Sequence, residues 1–329
     1  MKKLVFAAAL ALAAVPSFAQ EEAKTFPSPG EIVDAAPASD WAAIAPEDLL
    51  VMDLAPGRDG NPRRVIIQLM PPPFSQGWID NMRVLAKAHW WDGTSVYRVQ
   101  DNYVVQWGDE TGEKPLPEGL KEVPESEYIA VNPDDGFVAG GSGAVDSILN
   151  LMSRTQREGN ARPRQSDAYG ARTFHSNGWQ LAGDDQTAWP VHCYGMVGVG
   201  RDLSPNTGNG SELYTVIGHA PRHLDRNIAL VGRIVEGMEH LSSLPRGHGA
   251  LGFYDEDEAE KRVPILSVRL GNELTEDPAP GFEYLSTGSE SFARYAEARA
   301  NRRDPFFIVP AGGADICNIP VPIRRVPGE

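Results

Sequence analysis

The chain has 329 residues, of which 41% are hydrophobic and 23% charged, and its formal net charge at pH 7 is −15. This composition excludes collagen, a coiled coil and wholesale disorder, and the negative charge argues against a nucleic-acid partner because phosphate backbones repel an acidic surface. With 33 glycines and 27 prolines, the sequence favours short strands and long loops over a helical bundle. We therefore expect a mainly β protein.

The first nineteen residues have the pattern of a cleavable secretory signal. Lys2 and Lys3 precede an apolar run over 4–15, and residues 17–19, Ser-Phe-Ala, have the small-x-small form of a cleavage site. The run is too short for a permanent membrane anchor. We predict cleavage after Ala19, a periplasmic or secreted mature chain, and no transmembrane segment in that mature chain.

The pattern then changes from a linker to regular elements. Residues 20–60 are rich in Ala, Pro and Asp and are interpreted as a tether. Hydrophobic periodicity and β-branched content predict five elements: a short helix near 46–50, a strand at 64–70, a helix at 78–90, and two strands at 95–99 and 103–107. Gln100, Asp101 and Asn102 form the tight turn between the last two strands.

The two strands and their turn carry the most informative motif. Residues 91–109, Trp-Asp-Gly-Thr-Ser-Val-Tyr-Arg-Val-Gln-Asp-Asn-Tyr-Val-Val-Gln-Trp-Gly-Asp, resemble the signature of cyclophilin-type peptidyl-prolyl cis-trans isomerases. The resemblance continues in the family's order in four later blocks, at 195–197, 209–218, 223–225 and 230–238. It implies a closed eight-stranded antiparallel β-barrel capped by two helices, here 78–90 and 235–244, with a final strand at 264–270.

The resemblance also divides the chain. We predict a signal peptide at 1–19, a tether at 20–60, a cyclophilin-like domain at 61–275 with an insertion at about 110–190, and a C-terminal extension at 276–329. Most of the insertion is expected at the surface, with one helix indicated by the spacing of Val145, Ile148, Leu149 and Met152. In the extension, a capping box from Thr287 to Glu290 predicts a helix through Ala300. An apolar run at 305–310 follows, and the tail is expected to pack on the barrel.

The chemistry of an X–Pro bond indicates what a catalyst needs. Amide resonance opposes rotation with a barrier of ~18–20 kcal/mol. In the twisted transition state the prolyl nitrogen recovers its lone pair, which a positioned cationic donor binds better than it binds the planar ground state. The resemblance implies that Arg98 is this donor and that Gln106 hydrogen-bonds Arg98 and the substrate backbone. Without the surrounding motif, a strand arginine is more often part of a surface ion pair.

The resemblance implies an apolar slot for the proline ring as well. Its positions fall on Tyr103, Val104, Tyr214 and Leu224. Two phenols and a short valine predict a more polar slot than the family's usual phenylalanines and methionine, although such residues alone are typical of barrel packing. Glu212 replaces a common glutamine and is expected to pair with Arg98 or to select basic neighbours. His223 replaces the family's aromatic residue before Leu-Asp.

Two cysteines, Cys193 and Cys317, are candidates for one disulfide, and two buried free thiols are the alternative. Asp184, Asp185, His175 and His192 lack the spacing of metal ligands, so the sequence predicts no metal and no cofactor. Two functions remain. One is an isomerase acting on proline-containing polypeptides, in particular exported proteins that are folding. The other is a non-catalytic module that binds proline peptides.

Overall fold

The computed structural model describes residues 26–131, 167–184, 186–274 and 280–327. The helices of these residues are α1 (Pro29–Asp34), α2 (Gln76–Lys87), α3 (Glu239–Ser242) and α4 (Glu290–Ala300). The strands are β1 (Trp41–Ile44), β2 (Leu49–Leu54), β3 (Arg63–Leu69), β4 (Ser95–Val99), β5 (Val104–Gly108), β6 (Ala130–Val131), β7 (Arg172–Ser176), β8 (Trp179–Gly183), β9 (Thr187–Pro190), β10 (Met196–Val199), β11 (Leu213–Val216), β12 (Leu230–Glu236), β13 (Val263–Leu270), β14 (Phe282–Leu285) and β15 (Ile323–Arg325).

Eight strands close into an antiparallel barrel, so the predicted fold is confirmed. Their order around the barrel is β10-β11-β5-β4-β13-β2-β3-β12. In β3, Val65 and Ile67 belong to the main core, whereas Ile66 lies on the other face in a cluster with Phe282. Because both faces of β3 are covered, its centre, residues 65–67, is a continuous apolar run instead of an alternating one.

Two helices bury apolar side chains in the same core. The buried face of α2 consists of Trp78, Ile79, Met82, Leu85 and Ala86. The other helix, α3, contributes Leu241, but its predicted extent of 235–244 is wrong. Residues 230–236 continue as strand β12, because Val231, Ile234 and Val235 are β-branched and suit a strand. Gly237 then adopts a φ of +83°, which ends the strand and leaves one helical turn.

The tether predicted at 20–60 is wrong from residue 29 onward, because α1, β1 and β2 are regular elements packed against the rest of the protein. Residues 49–54 form β2, which pairs with β3 on one side and with β13 on the other, inside the barrel wall. The 3₁₀ turn Pro46–Asp48 precedes it where a short helix was predicted. The apolar run at 49–52, next to proline and acidic residues, is too short to show a periodicity, so helix and strand cannot be told apart without partners.

The insertion is less exposed than predicted. Strands β6, β9, β8 and β7 form a second sheet in that order, and Trp179, Leu181 and Trp189 from it are buried in the main core. The surface expectation is therefore wrong for residues 172–190. The helix predicted from Val145, Ile148, Leu149 and Met152 lies outside the described residues, as does Asp185.

The two ends of the described chain form one module beside the barrel. Strands β1, β14 and β15 make a three-stranded sheet, and α1 packs against α4. Helix α4 is capped by Ser289, which accepts a hydrogen bond from the Phe292 N–H, so the capping residue predicted at Thr287 is wrong by two positions. The predicted packing also fails for the apolar run at 305–310, since Phe306 is 84% and Ile308 96% exposed.

A disulfide joins this terminal module to the barrel. Cys193, which lies before β10, is bonded to Cys317 in the 3₁₀ turn Ile316–Asn318, with their Cα atoms 5.2 Å apart. The bond closes a loop with a sequence separation of 124 residues, and such long loops are the ones whose closure restricts the unfolded chain most. In the part of the chain that the structure describes, every helix is too short or too polar to cross a bilayer.

Candidate active site

A row of four residues crosses one face of the barrel wall. Arg98 on β4 lies opposite Gln106 on β5, Gln106 lies opposite Tyr214 on β11, and Tyr214 lies opposite Gly198 on β10. Residues directly opposite each other in antiparallel strands share a face and have Cβ atoms about 4.5–5.5 Å apart. The register therefore brings the predicted arginine, amide and aromatic ring together as neighbours.

An irregularity in β4 aims two side chains at Gln106. The register shifts between Val96 and Arg98, so Tyr97 has no partner of its own in β5. In such a β-bulge, two residues of one strand oppose a single residue of the other. The Arg98 Nη1 donates to Gln106 Oε1 at 2.9 Å, and Gln106 Nε2 donates to the Tyr97 hydroxyl at 2.6 Å. The amide of Gln106 is thereby held at both ends.

The guanidinium of Arg98 is fixed by three hydrogen bonds from different parts of the chain. Besides its bond to Gln106, it donates from Nη2 to Gln100 Oε1 at 2.5 Å and from Nε to the Leu251 carbonyl at 2.8 Å. Its Cζ lies 5.2 Å from the centre of the Phe253 ring. Burial lowers the pKa of Arg98, but an arginine pKa starts so far above neutral that the group stays charged.

Glu212 does not pair with Arg98, so that part of the prediction is wrong. Its carboxylate accepts from the Tyr97 hydroxyl at 2.5 Å and from the Asp109 N–H at 2.8 Å. Burial is the largest influence on both side chains, and it raises the pKa of Glu212 and of Tyr97. Tyr97 therefore stays protonated and stands between the carboxylate and Gln106, which keeps the negative charge one side chain away from Arg98.

An apolar cluster adjoins the arginine. It contains three of the predicted slot residues, Tyr103, Val104 and Tyr214. Val216 and Ile228 complete it. Tyr214 of this cluster lies opposite Gln106, which accepts a hydrogen bond from Arg98, so the cluster lies beside the guanidinium. His223 is exposed and stacks on Tyr103 with ring centres 6.4 Å apart. Leu224 follows it in the 3₁₀ turn Arg222–Leu224 and is half-buried.

The phenol of Tyr214 does not make the slot more polar, contrary to the expectation from its residue type. Its oxygen lies 2.8 Å from the Nε2 of His192, which is completely buried. The hydroxyl is thus used inside the protein, and the ring contributes apolar surface to the cluster with Val104 and Val216.

Comparison with known proteins identifies the family. The profile of the family described as cyclophilin type peptidyl-prolyl cis-trans isomerase/CLD matches residues 78–270, which is more than half of the chain. The chain belongs to the cyclophilin family. No curated protein matches it in a sequence search.

Among solved structures, the cyclophilin AquaCyp293 from Hirschia baltica has a TM-score of 0.59 and 18% identity, and the match covers 87% of this chain and 94% of that chain. This similarity shows a shared fold. A cyclophilin type peptidyl-prolyl cis-trans isomerase of Cryptosporidium parvum, crystallised in the presence of the dipeptide Ala-Pro, has 12% identity and a TM-score of 0.36, with coverage of 67% and 98%. That superposition is too loose to add to the comparison.

An acidic cleft continues from the Gln106 side of the cyclophilin site. Its volume is 1330 Å³, and its walls come from the loops at 109–124 and 200–212. Two cations line it, Lys121 and Arg201. The lining also contains six carboxylates: Asp109, Glu110, Glu118, Glu122, Asp202 and Glu212. The potential next to Gln106 is therefore negative.

The described residues contain no group of three or more His, Cys, Asp or Glu side chains that could hold a metal ion. His175 and His192 each bind protein partners instead. The Nε2 of His175 donates to the Ile319 carbonyl at 2.8 Å, and the Nδ1 of His192 lies 2.8 Å from Asp225 Oδ1. Asp184 accepts from Thr187 at the start of β9. We assign none of these side chains to a metal.

Sequence reasoning missed five residues of the site: Tyr97, Gln100, His192, Leu251 and Phe253. Strand alternation places Tyr97 on the face opposite to Arg98, and only the bulge brings both to Gln106. The sequence predicts Gln100 as a turn residue, although its spacing of two from Arg98 already puts it on the same face. Leu251 and Phe253 lie 153 or more residues away in sequence, where no local pattern points to Arg98.

Proposed function

We propose that this cyclophilin catalyses cis–trans isomerisation of X–Pro bonds and that Arg98 stabilises the twisted amide. One observation carries the proposal: the guanidinium is fixed by three hydrogen bonds beside an apolar cluster. Of its five N–H groups, two donate to no protein group within the described residues. A fixed cation with unused donors beside a slot for an apolar ring is what the reaction requires.

The mechanism needs no covalent intermediate. When the peptide bond twists, the prolyl nitrogen becomes pyramidal and its lone pair becomes available to a donor. The planar amide offers no such acceptor, so a hydrogen bond from Arg98 strengthens only as the transition state forms. Because Gln106, Gln100 and Leu251 already orient the guanidinium, little reorganisation accompanies this step.

The slot residues hold the substrate while the bond rotates. Tyr103, Val104 and Tyr214 supply apolar contacts for the pyrrolidine ring, and the family resemblance adds Leu224, which is half-buried next to His223. His223, stacked on Tyr103, covers one side of the slot. Burying the ring there removes it from water and leaves the preceding residue as the part that turns.

The position of Glu212 favours catalysis over simple peptide binding. A carboxylate paired with Arg98 would compete for the donors that the twisted amide needs. Glu212 is instead hydrogen-bonded to Tyr97 and Asp109, so the Arg98 donors stay available. Glu212 therefore gives no support to the non-catalytic alternative.

We further propose that the substrates are proline-containing exported polypeptides and that the protein works in the periplasm or outside the cell. The signal-like pattern of residues 1–19 supports this location, and the disulfide fits an oxidising compartment. N-terminal sequencing of the protein purified from periplasmic extract tests the location. We expect it to begin at Gln20, and an uncleaved chain recovered from the cytoplasm would contradict the proposal.

The isomerase activity itself is tested by exchange NMR on a short X–Pro peptide. We expect the wild type to accelerate exchange and Arg98→Ala to lower kcat/KM by about 10²–10³-fold, as is usual when one transition-state donor is removed. Arg246→Ala is the matched control. It removes the same charge as Arg98→Ala, from an arginine that binds Asp101 in the neighbouring turn. Equal rates for wild type and Arg98→Ala would overturn the proposal.

A further inference from the structure

A buried series of polar groups runs from the slot into the protein. It begins at the Tyr214 hydroxyl, which is 2.8 Å from His192 Nε2, and continues through His192 Nδ1 to Asp225 Oδ1 at 2.8 Å. The second oxygen of Asp225 accepts from Arg222 Nε at 2.5 Å. The side chains of His192 and Asp225 are each 1% exposed and that of Arg222 is 3% exposed. The mechanism proposed above uses none of these three groups.

The direction of each hydrogen bond follows from chemistry. A carboxylate only accepts, so the Nδ1 of His192 must carry the proton that goes to Asp225. Burial lowers the pKa of His192, which keeps the imidazole neutral and leaves Nε2 as an acceptor. The Tyr214 hydroxyl therefore donates to His192. Its ring is anchored at the end that lies farthest from the backbone.

A glycine gives the ring its room. Gly198 lies opposite Tyr214 in β10, and a Cβ at this position would come within 2.4 Å of the phenol oxygen and of ring carbon Cζ. The ring therefore lies flat against the bare backbone of β10, and its plane is nearly parallel to that of His192, at 8°. Apolar residues pack against the Tyr214 ring, and the hydrogen bond from its hydroxyl to His192 fixes the position of the ring.

His192 and Asp225 lie where the terminal module joins the barrel. His192 directly precedes Cys193, whose disulfide partner is Cys317. Asp225 shares Arg222 with Asp167, which accepts from Arg222 Nη1 at 3.0 Å. Asp315, two residues before Cys317, lies 3.9 Å from the same nitrogen. Segments around Asp167, Asp225 and Asp315 thus meet at Arg222, which in turn holds the Asp225 carboxylate that accepts from the imidazole.

We propose that His192 is a positioning residue that sets the shape of the proline slot through the Tyr214 hydroxyl. The inference rests on the proposed function because it takes Tyr214 as a wall of that slot. Without an acceptor at Nε2, the phenol must turn to find another partner, which moves the ring and brings a polar group towards the apolar surface. Substrate binding then weakens, whereas the Arg98 step is unchanged.

A double-mutant cycle tests this, read as the dissociation constant of an Ala-Pro peptide. We expect His192→Leu to weaken binding about tenfold when residue 214 is Tyr, and by less than twofold in the Tyr214→Phe background, where no hydroxyl needs an acceptor. Gln offers an acceptor, so His192→Gln is expected to stay within threefold of the wild type. Equal losses in both backgrounds, or no loss in either, would overturn the proposal, because a merely structural role does not depend on the hydroxyl.

A measurement on the wild type covers the case in which His192→Leu does not fold. On peptide binding, the ¹⁵N resonance of His192 Nε2 is expected to shift, although the buried ring touches no peptide, and the shift is expected to vanish in Tyr214→Phe. No shift in the wild type would contradict the inference. Because both readouts report binding, a protein that binds the peptide without isomerising it contradicts only the proposed function, and the cycle still decides the role of His192.

Discussion

Arg98 differs from an ordinary surface arginine in the origin of its partners. Gln100 lies at the end of its own strand, Gln106 on the next strand, and Leu251 in a loop 153 residues later in sequence. Leu251 has a φ of +57°, which is unusual for a residue with a side chain and fixes the direction of the adjacent peptide groups. The side chain is thus held by both local and distant contacts before any substrate arrives.

The burial of Glu212 predicts how its substitution changes the stability of the protein. Burial raises the pKa of Glu212 in the folded protein, so the folded state binds this proton more readily than the unfolded state and the charged form costs stability at neutral pH. Glu212→Gln removes the charge and keeps an acceptor for Asp109 or Tyr97. We expect the variant to be more stable than the wild type at pH 7.

Thermal unfolding followed at several pH values checks this. The stability gain of Glu212→Gln should shrink as the pH falls through the raised pKa of Glu212, because the wild-type carboxyl is then also neutral. Glu239→Gln, at an exposed site, is the control, and its stability should equal that of the wild type at every pH. A variant less stable than the wild type at pH 7 would show that the charge itself holds the network together.

The pairing of Arg98 with Gln106 could be predicted because it depends on one tight turn and an even offset along two adjacent strands. Tyr97 could not, because a bulge inserts one residue without any change in composition or periodicity. The Tyr214–His192 contact was also out of reach. It joins residues 22 apart on elements whose relative position depends on barrel closure.

At the scale of elements, the sequence was least informative where an element is short and buried on both faces. Strand β2 is six residues long, and its apolar run at 49–52 becomes recognisable as a strand only through its pairing with β3 and β13. The tail shows the opposite error. Its apolar run at 305–310 suggested packing, but Phe306 and Ile308 lie almost fully exposed in the structure.

The contact between β7 and the C-terminal segment gives a pH prediction. His175 donates to the Ile319 carbonyl and lies against Phe292, and burial lowers the pKa of His175 from 6.5 to about 4. Since the unfolded chain takes up this proton at higher pH, stability should fall as the pH drops below 6.5 and reach its full loss below 4. The loss from His175 is at most about 3 kcal/mol, and less to the extent that solvent reaches the ring.

Chemical denaturation at pH 7 and pH 5 measures the effect. His175→Gln keeps an N–H donor but does not titrate, so it should lose less stability than the wild type on acidification. His192, whose pKa is also lowered, contributes to the remaining loss. The exposed His219→Gln serves as control and should follow the wild type. Identical acid sensitivity of His175→Gln and wild type would rule out this source.

For the whole molecule, charge is expected to guide substrate choice. The chain carries a net charge of −15, and six carboxylates line the cleft beside Gln106. Peptides with lysine next to the X–Pro bond should have a KM several-fold lower than peptides with glutamate there. The ratio should shrink between about 50 and 500 mM salt, because exposed charges are then screened.

A double variant tests whether the cleft is the cause. Glu118→Gln combined with Glu122→Gln removes two exposed charges from its wall and should reduce the preference for lysine. Arg98 is unchanged in this variant, so kcat for a neutral peptide should remain that of the wild type. A wild-type preference for glutamate would contradict the role of the cleft. So would a preference for lysine that is as strong in the double variant as in the wild type at low salt.

We propose that a guanidinium fixed by Gln106, Gln100 and Leu251 stabilises the twisted amide through its geometry as well as its charge. Comparing kcat of Arg98→Lys with that of the wild type, by exchange NMR on one X–Pro peptide, tests it most directly. Lysine keeps the charge but not the planar fork of donors. We predict that kcat falls at least tenfold while the dissociation constant changes less than threefold. A lysine variant with the kcat of the wild type would contradict the claim.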